Sequence, residues 1–340
     1  MRSKFKKIGL EYSNCPVCNF KKYSIIISQA KEQYNNLPHF FDVVSCDQCK
    51  FTFTNPRPDV NSMSYFYPDN ANYYTPSKNK NKSRGNLQKN IKKYILYKYF
   101  NYPKKFQLNL FYIFACNLFK GFLISKIYHA HYPKYIKNGK LLDIGCSTGG
   151  YLQLMNDEGW EIYGLEMNKK CVTYIKKNIK NVNVFEGHVE NTSLKKNFFD
   201  VINCSMVLEH LYNPKKSLSQ IHQSLKKNGQ LIISVPNFNG LEFKLFGRYC
   251  YALQVPQHLN HFTENTLRQL LNDKGFKINK IIYQNLDKDF LASLKIWKKS
   301  KLLEVILYNK IFRFCILKIF IFILASLKMT SRMIIYAAKK

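Results

Sequence analysis

The chain has 340 residues, of which 46% are apolar, and this length can bury one substantial core together with a small accessory module. The formal net charge is +32, yet only seven of the 53 basic residues are arginine, the side chain that grips phosphate bidentately. The composition therefore predicts two domains with a solvated lysine-rich surface, and it argues against a dedicated site for nucleic acid.

The first ten residues are charged and contain no apolar run as long as that of a signal peptide. This start predicts a cytoplasmic protein.

Two C-x-x-C pairs come next, and 27 residues separate them: Cys15 with Cys18, and Cys46 with Cys49. In a reducing compartment disulfides are disfavoured, whereas four thiolates at this spacing can close a tetrahedral Zn²⁺ shell. Four incidental cysteines are the alternative, but the other six are scattered singly. With short apolar strands at 23–27, 41–44 and 51–55, residues 1–60 are predicted to form a zinc ribbon of uncertain role.

The next stretch, residues 61–86, ends in a Lys/Asn-rich segment punctuated by proline and glycine, which predicts a flexible linker. Residues 87–138 are predicted to form a helical cap segment, with aromatic-rich helices at 87–100 and 106–129. Packing on the domain that follows, over its substrate cleft, is the default, and a helix on a membrane surface, through residues 106–129 or 311–327, is the alternative. Polar residues interrupt both stretches, so we expect no transmembrane span.

The domain at 139–340 begins with an apolar run that ends in Asp143, passes through Gly145 and Gly149, and opens an amphipathic helix. A strand, a phosphate-type loop and a helix N-terminus in series are typical of a nucleotide-binding edge. The glycine spacing matches neither the dinucleotide fingerprint nor the Walker loop.

Further strands are predicted at 161–166, 199–204, 230–235, 276–282 and 333–337. Gly229 is predicted to cap the helix before the third of these, and the last is expected to be antiparallel. A helical insertion at about 286–330 separates the last two. Alternating strands and helices predict a doubly wound α/β sheet that binds ligands at the carboxyl ends of its strands.

Three segments, LLDIGCSTGG, VLEHL and ISVPN, together resemble the class I S-adenosylmethionine-dependent methyltransferases, in the branch that tailors quinones and glycans. The resemblance covers residues 139–285 and implies a seven-stranded Rossmann-like sheet. It also implies S-adenosylmethionine as cofactor beside the Zn²⁺ of the ribbon.

The resemblance implies a set of cofactor-binding positions. Asp143 and the glycine loop would hold the methionine end of the cofactor, Glu166 the ribose and Met167 the adenine. Relatives often have an acid that binds the adenine amine at the position of His188. In this chain Glu190 could replace that acid. The full set is Asp143, Gly145, Cys146, Gly149, Glu166, Met167, His188, Glu190 and Cys204.

Three histidines are candidates for a general base, because their ordinary pKa lies near working pH. His258 or His261, in a segment HLNHF that resembles one recurrent in the family, is expected to be the base, and His210 is expected to orient substrate. A structural role, bonded to backbone or to Glu209, is the alternative for each of them.

The expected function is methyl transfer to a small or carrier-linked metabolite such as a sugar, a lipid-like molecule or a polyketide. One alternative is an RNA methyltransferase, but the Asn/Asp-Pro-Pro-aromatic loop of base amino-methylation is missing after residues 199–204. Another is a non-catalytic zinc-binding adaptor with a vestigial cofactor fold, against which the intact glycines and both carboxylates argue.

Overall fold

The N-terminal part of the molecule is built from short strands that surround the cysteine pairs. The computed structural model describes residues 8–67, 85–297, 309 and 312–340. The strands here are β1 (Leu10–Glu11), β2 (Tyr23–Lys31), β3 (Phe40–Cys46), β4 (Thr52–Thr54) and β5 (Arg57–Pro58). The three predicted ribbon strands are therefore present as β2, β3 and β4, which pair antiparallel.

The predicted linker begins as helix rather than as extended chain. Helix α1 (Val60–Met63) starts at Asp59, whose carboxylate accepts from Ser62 N at 2.7 Å, and a 3₁₀ turn at Ser64–Phe66 follows and buries Phe66. The rest of the predicted linker, 68–84, lies outside the described residues.

Three helices follow: α2 (Asn86–Phe100), α3 (Leu110–Leu118) and α4 (Lys120–His129). The apolar stretch predicted at 106–129 is thus two helices, bent by 77° at their junction. Their inner faces join α2 in a cluster with Leu152, Met155 and Trp160, so the segment packs on the following domain. None of residues 87–138 lines the cavity at the carboxyl ends of the strands, over which the segment was expected to lie. In the described parts of the chain no single helix is long and apolar enough to span a membrane, although the bent pair α3–α4 meets that length and hydropathy when taken together.

The following domain contains β6 (Lys140–Ile144), α5 (Gly150–Asp157), β7 (Glu161–Glu166), α6 (Lys169–Asn178), β8 (Val182–Glu186), β9 (Phe199–Ser205), α7 (Pro214–Ser224), β10 (Leu225–Pro236), α8 (Leu241–Phe246), β11 (Asn260–His261), α9 (Glu264–Asp273), β12 (Phe276–Tyr283), α10 (Asp287–Trp297), α11 (Lys318–Ser326) and β13 (Arg332–Lys339). Seven strands form one sheet in the order β12-β13-β10-β9-β6-β7-β8, in which β13 runs antiparallel to both neighbours. The expected seven-stranded α/β sheet is confirmed. The carboxyl ends of β6, β7, β8 and β9, which pair in parallel, share one edge.

The expected glycine cap at Gly229 is wrong. Helix α7 ends at Ser224, β10 begins at Leu225, and Gly229 is buried within that strand. A Cβ atom at Gly229 would lie 2.9 Å from the Lys226 carbonyl oxygen, so a close approach of the backbone explains this glycine.

The two predicted domains share a sheet. Strand β11, which is part of the HLNHF segment, pairs antiparallel with β4 and makes the N-terminal sheet four-stranded, in the order β11-β4-β3-β2. The predicted insertion contributes α10 and α11, and its residues 298–308, 310 and 311 lie outside the described part of the chain.

Candidate active site

The loop between β6 and α5 adopts a backbone that requires glycine. Gly145 and Gly149 have φ values of +71° and +78°. A Cβ atom on Gly145 would lie 2.5 Å from Val207 Cγ2, and one on Gly149 would lie 2.5 Å from Ile179 Cδ1. Both glycines are therefore needed for packing within the chain as well as for the turn itself.

The acid at the end of β7 holds this loop in place. Glu166 is buried, and its Oε2 accepts from the backbone N–H of Ser147 at 2.8 Å. Its Oε1 accepts from Asn168 N at 2.8 Å. Because each carboxylate oxygen has two lone pairs, Glu166 can still accept from a ligand hydroxyl while it fixes the loop.

The acid at the end of β6 belongs to a buried polar chain. Asp143 Oδ1 accepts from Asn203 Nδ2 at 2.6 Å, and Asn203 Oδ1 accepts from Ser205 Oγ at 3.0 Å. Ser205 Oγ in turn lies 2.8 Å from His131 Nδ1, on the segment between α4 and β6. Burial raises the pKa of Asp143 from 3.8 to about 7. A cationic ligand group beside Asp143 would favour its charged form.

A cavity of about 720 Å³ opens at this edge of the sheet. The predicted residues that line it are Gly145, Glu166, Met167, His188, Glu190, His210 and His258. Its wall also includes Tyr34, Met63 and Tyr67 from the N-terminal part of the chain. The volume is typical of a site for a nucleotide-sized ligand with room for a second molecule.

Five predicted positions stand behind the wall rather than on it: Asp143, Cys146, Gly149, Cys204 and His261. Cys146 packs against Gly164, where an added Cβ would meet its sulfur at 2.8 Å, and Cys204 is fully buried in β9. Burial raises the pKa of both thiols far above the ordinary value, so neither is a thiolate.

The two residues predicted at the adenine end contact each other. His188 Nδ1 lies 3.3 Å from Glu190 Oε2, and the Glu190 carboxylate also accepts from the backbone N–H groups of Tyr212 and Asn213. Glu190 thereby ties the loop after β8 to the loop before α7. Met167 is 56% exposed at the rim of the cavity, where it could cover a flat ring.

His210 lines the cavity on the segment that follows β9. Its Nδ1 lies 2.8 Å from the Gln257 carbonyl oxygen and 2.7 Å from Tyr67 Oη. A carbonyl only accepts, so Nδ1 carries the proton and Nε2 is the basic nitrogen. Burial lowers the pKa of His210 to about 4, which keeps the ring neutral.

His258 stands beside His210, with ring centroids 4.8 Å apart. Its Nδ1 donates to the Ala252 carbonyl oxygen at 2.9 Å, and its Nε2 is buried without a hydrogen-bond partner. Burial, and then the neighbouring His210, lower the pKa of His258. Both rings are therefore neutral, and each has an unprotonated Nε2.

Glu209 adds a third group to the two histidines. It is fully buried, neither of its carboxylate oxygens has a partner, and burial raises its pKa to about 8. One ligand atom from each of Glu209, His210 and His258 falls within 4.8 Å of the others, so the three groups could also share a divalent cation.

His261 lies apart from this group. It belongs to β11, it is buried, and its Nε2 lies 3.1 Å from Thr54 Oγ1 on β4. Burial lowers its pKa to about 3. The contact joins two neighbouring strands of the N-terminal sheet, and His261 does not line the cavity.

The four paired cysteines converge at the base of the N-terminal sheet. The sulfurs of Cys15 and Cys49 are 3.6 Å apart, those of Cys18 and Cys46 are 3.5 Å apart, and all four lie within 4.8 Å of one another. Zn–S bonds of about 2.3 Å in a tetrahedron require sulfurs about 3.8 Å apart. The donor set and its spacing therefore fit Zn²⁺.

The sequence analysis did not identify five residues that contact the predicted site residues directly or through one another: Asn203, Ser205, His131, Tyr67 and Gln257. Asn203 and Ser205 alternate along β9 after Asp200, and polar residues at the end of an apolar strand are the one signal that pointed to them. The neighbouring sequence does not distinguish Tyr67 from the other 23 tyrosines of the chain.

Comparison with known proteins agrees with this geometry. A family model described as a methyltransferase domain matches residues 121–281. An uncharacterised protein of Haemophilus influenzae is 34% identical over 145 residues, which are 39% of this chain and 57% of that protein. A ubiquinone biosynthesis O-methyltransferase of Rickettsia akari is 28% identical over 171 residues, 47% of this chain and 67% of that protein.

Among solved structures, an S-adenosylmethionine-dependent methyltransferase from Archaeoglobus fulgidus is similar, with a TM-score of 0.44 and 21% identity over 68% of this chain and 100% of that one. The chain spans little more than half the length, 57%, of the Haemophilus relative. The family match, the strand order and the glycine loop agree with one another. Residues 121–281 of this chain therefore match a methyltransferase domain.

Proposed function

We propose that the protein transfers a methyl group from S-adenosylmethionine to a small or carrier-linked acceptor such as a sugar, a lipid-like molecule or a polyketide. One observation carries the proposal: Gly145 and Glu166 at the carboxyl ends of the strands line the same cavity as His210 and His258. A cofactor and an acceptor bound there would meet in front of two basic nitrogens.

The residues at the cofactor edge fit S-adenosylmethionine by their chemistry. Glu166 offers lone pairs to ribose hydroxyls, Met167 and Leu165 offer an apolar surface to adenine, and the carboxyl of Asp143 sits behind the glycine loop. When bound, the cofactor supplies an electrophilic methyl on a sulfonium, so a hydroxyl or acidic carbon that takes the methyl must lose a proton.

We assign the acceptance of that proton to Nε2 of His210 or His258. Both rings line the cavity and donate from Nδ1 to a backbone carbonyl, which leaves Nε2 unprotonated, whereas His261 does not line the cavity and contacts Thr54. Tyr67 would help to orient His210, and Gln257 ties both to the N-terminal sheet through Glu32, whose Oε1 accepts from Gln257 Nε2 at 2.9 Å.

We also propose one structural Zn²⁺ held by Cys15, Cys18, Cys46 and Cys49. Four protein ligands leave no open position, so the ion would stabilise the fold rather than take part in methyl transfer. Zinc stoichiometry in protein purified without chelator measures this directly, and a value well below one ion per chain would exclude it.

The test of the base is His→Gln at 210, 258 and 261, with cofactor affinity and turnover measured separately on an accepted substrate. Loss of turnover by ~10²-fold or more at 210 or 258 with cofactor affinity retained is expected, because general-base catalysis contributes about that factor. The His261→Gln variant is the matched control and should keep the turnover of its folded fraction. Full activity in both the 210 and 258 variants would overturn the assignment.

The cofactor itself is tested without any acceptor. S-Adenosylhomocysteine at 100 times its dissociation constant should stabilise the folded chain by about 2.7 kcal/mol. A thermal shift that S-adenosylhomocysteine leaves unchanged would contradict the proposed function whatever the acceptor.

A further inference from the structure

The helix pair α3–α4 exposes several large apolar side chains to solvent. Its members are Leu110, Phe111, Phe114, Leu118, Phe119 and Phe122, which are between 55% and 84% exposed. We call these six residues the aromatic face. Isolated exposed apolar side chains are common on proteins, but six on two consecutive helices form a patch that marks an interaction site.

The aromatic face is not simply a core face left uncovered. The opposite sides of the same helices already pack inward, through Cys116 on α3 and Ile127 on α4. The helices are therefore apolar on two sides, which is why the bent pair reaches the hydropathy of a membrane-spanning segment. One side of the helix pair packs against the rest of the chain, and the other side is available to bind a partner.

Charge identifies the kind of partner. Residues 85–142 contain eleven lysines and no aspartate, glutamate or arginine. Lys104, Lys105, Lys120 and Lys126 are exposed on α4 or on the segment before α3, and Lys126 Nζ lies 4.2 Å from the centroid of the Phe122 ring. Exposed aromatic and leucine side chains flanked by lysines alone are typical of helices that lie in the interface of an anionic membrane.

We propose that α3–α4 binds the surface of an anionic lipid bilayer. The aromatic face would enter the headgroup region and the lysines would contact lipid phosphates. Six apolar side chains on the surface favour lipid over RNA, for which lysines should alternate with polar side chains and arginine. This inference does not depend on the proposed function, because binding to vesicles requires neither cofactor nor acceptor.

The test is flotation of the full-length protein with two kinds of vesicle, phosphatidylcholine alone and phosphatidylcholine mixed equally with phosphatidylglycerol. We expect binding to the anionic vesicles that weakens as salt is raised. The double variant Phe111→Ser/Phe114→Ser should bind at least ~10-fold more weakly, and Lys120→Gln/Lys126→Gln should lose about 5-fold per lysine on anionic vesicles alone.

The matched control is Ile25→Ser/Phe40→Ser, which removes two apolar side chains that are 59% and 53% exposed on the N-terminal sheet. It should bind vesicles as the unaltered chain does. Failure to bind either vesicle, or equal loss in the control, would overturn the proposal. A dimer in light scattering that the Phe111/Phe114 variant converts to a monomer would show instead that a second copy covers the face, and salt-sensitive RNA retention without vesicle binding would identify a nucleic-acid surface.

Discussion

The two ends of the cavity are constructed differently. At the cofactor end, Ser147 and Glu166 are joined by a hydrogen bond across 19 positions of sequence, and consecutive strands supply both. At the acceptor end, Tyr67 meets His210 across 143 positions and Glu32 meets Gln257 across 225. The proposed cofactor end is thus a property of one strand-loop-helix unit and its neighbour, whereas the proposed acceptor end exists only where the N-terminal sheet contacts the domain that follows.

This difference suggests that cofactor binding and acceptor positioning can be lost separately. Changes in the N-terminal sheet should damage turnover and leave cofactor affinity intact, while changes at Asp143 should act on the domain that carries the cofactor edge. Four predictions test this separation, from the largest expected effect to the smallest.

Replacing Cys46 by Ser removes one of the four proposed zinc ligands. We expect loss of the ion, and a fall in turnover of ~10²-fold or more, because β4 supports β11 and the loop that carries His258. Affinity for S-adenosylhomocysteine, measured by calorimetry, should change by less than about 3-fold. Cys116→Ala, outside the cluster, should keep its zinc, and collapse of cofactor affinity in Cys46→Ser would show that the two ends are coupled.

Asp143→Asn tests the buried carboxyl at the cofactor end. Burial raises the pKa of Asp143 from 3.8 to about 7 in the folded chain. The free energy of unfolding is therefore highest below pH 4, where the carboxyl is protonated in both states, and it falls as pH rises toward 7. In unfolding measured without cofactor, the free-energy difference between the variant and the unaltered chain should change by up to about 1.4 kcal/mol per pH unit across this window. The variant should be the more stable of the two near pH 8, and parallel pH profiles would contradict the raised pKa.

Glu32→Gln tests the long-range anchor of the acceptor end. The fully buried carboxylate accepts from the backbone N–H groups of Tyr34, Asn35 and Leu37 as well as from Gln257. The amide cannot accept at both positions, so the free energy of unfolding should fall by ~1–3 kcal/mol.

The control for that variant is Glu11→Gln, which breaks the ion pair with Arg57 at a side chain that is 41% exposed. It should cost less than about 1 kcal/mol. The free energy of unfolding is measured by urea denaturation. Equal decreases in the two variants would show that buried Glu32 stabilises the fold no more than the exposed ion pair does.

Tyr67→Phe should have the smallest effect. It removes the hydroxyl that lies 2.7 Å from His210 Nδ1 and keeps the ring, so kcat/KM should fall by about 3- to 10-fold, the equivalent of one hydrogen bond. Cofactor affinity should not change. Tyr12→Phe, at a ring that is 76% exposed, is the control, and equal kinetics in the two variants would remove Tyr67 from the acceptor end.

Prediction from the sequence worked best where structure is local. The strands that contain Asp143 and Glu166 and the antiparallel last strand were all expected and are present. Gly229 was misassigned because a glycine before an apolar strand looks the same whether it ends a helix or admits a close backbone contact. The division of residues 106–129 into two helices was also missed, because a hydropathy pattern does not indicate where a helix bends.

By itself, the sequence determined the sheet, the cofactor edge and the spacing of the four cysteines, because runs of apolar residues, a left-handed glycine turn and paired cysteines act within a few residues of one another. Only the tertiary structure decided which histidines face the cavity. His258 and His261 are three residues apart, yet His258 lines the cavity and His261 contacts Thr54. The reason is that His261 belongs to the two-residue strand β11, which pairs with β4, whereas His258 precedes that strand. A strand that short leaves no periodicity to read, and its pairing across about 200 residues depends on the packing of the whole molecule.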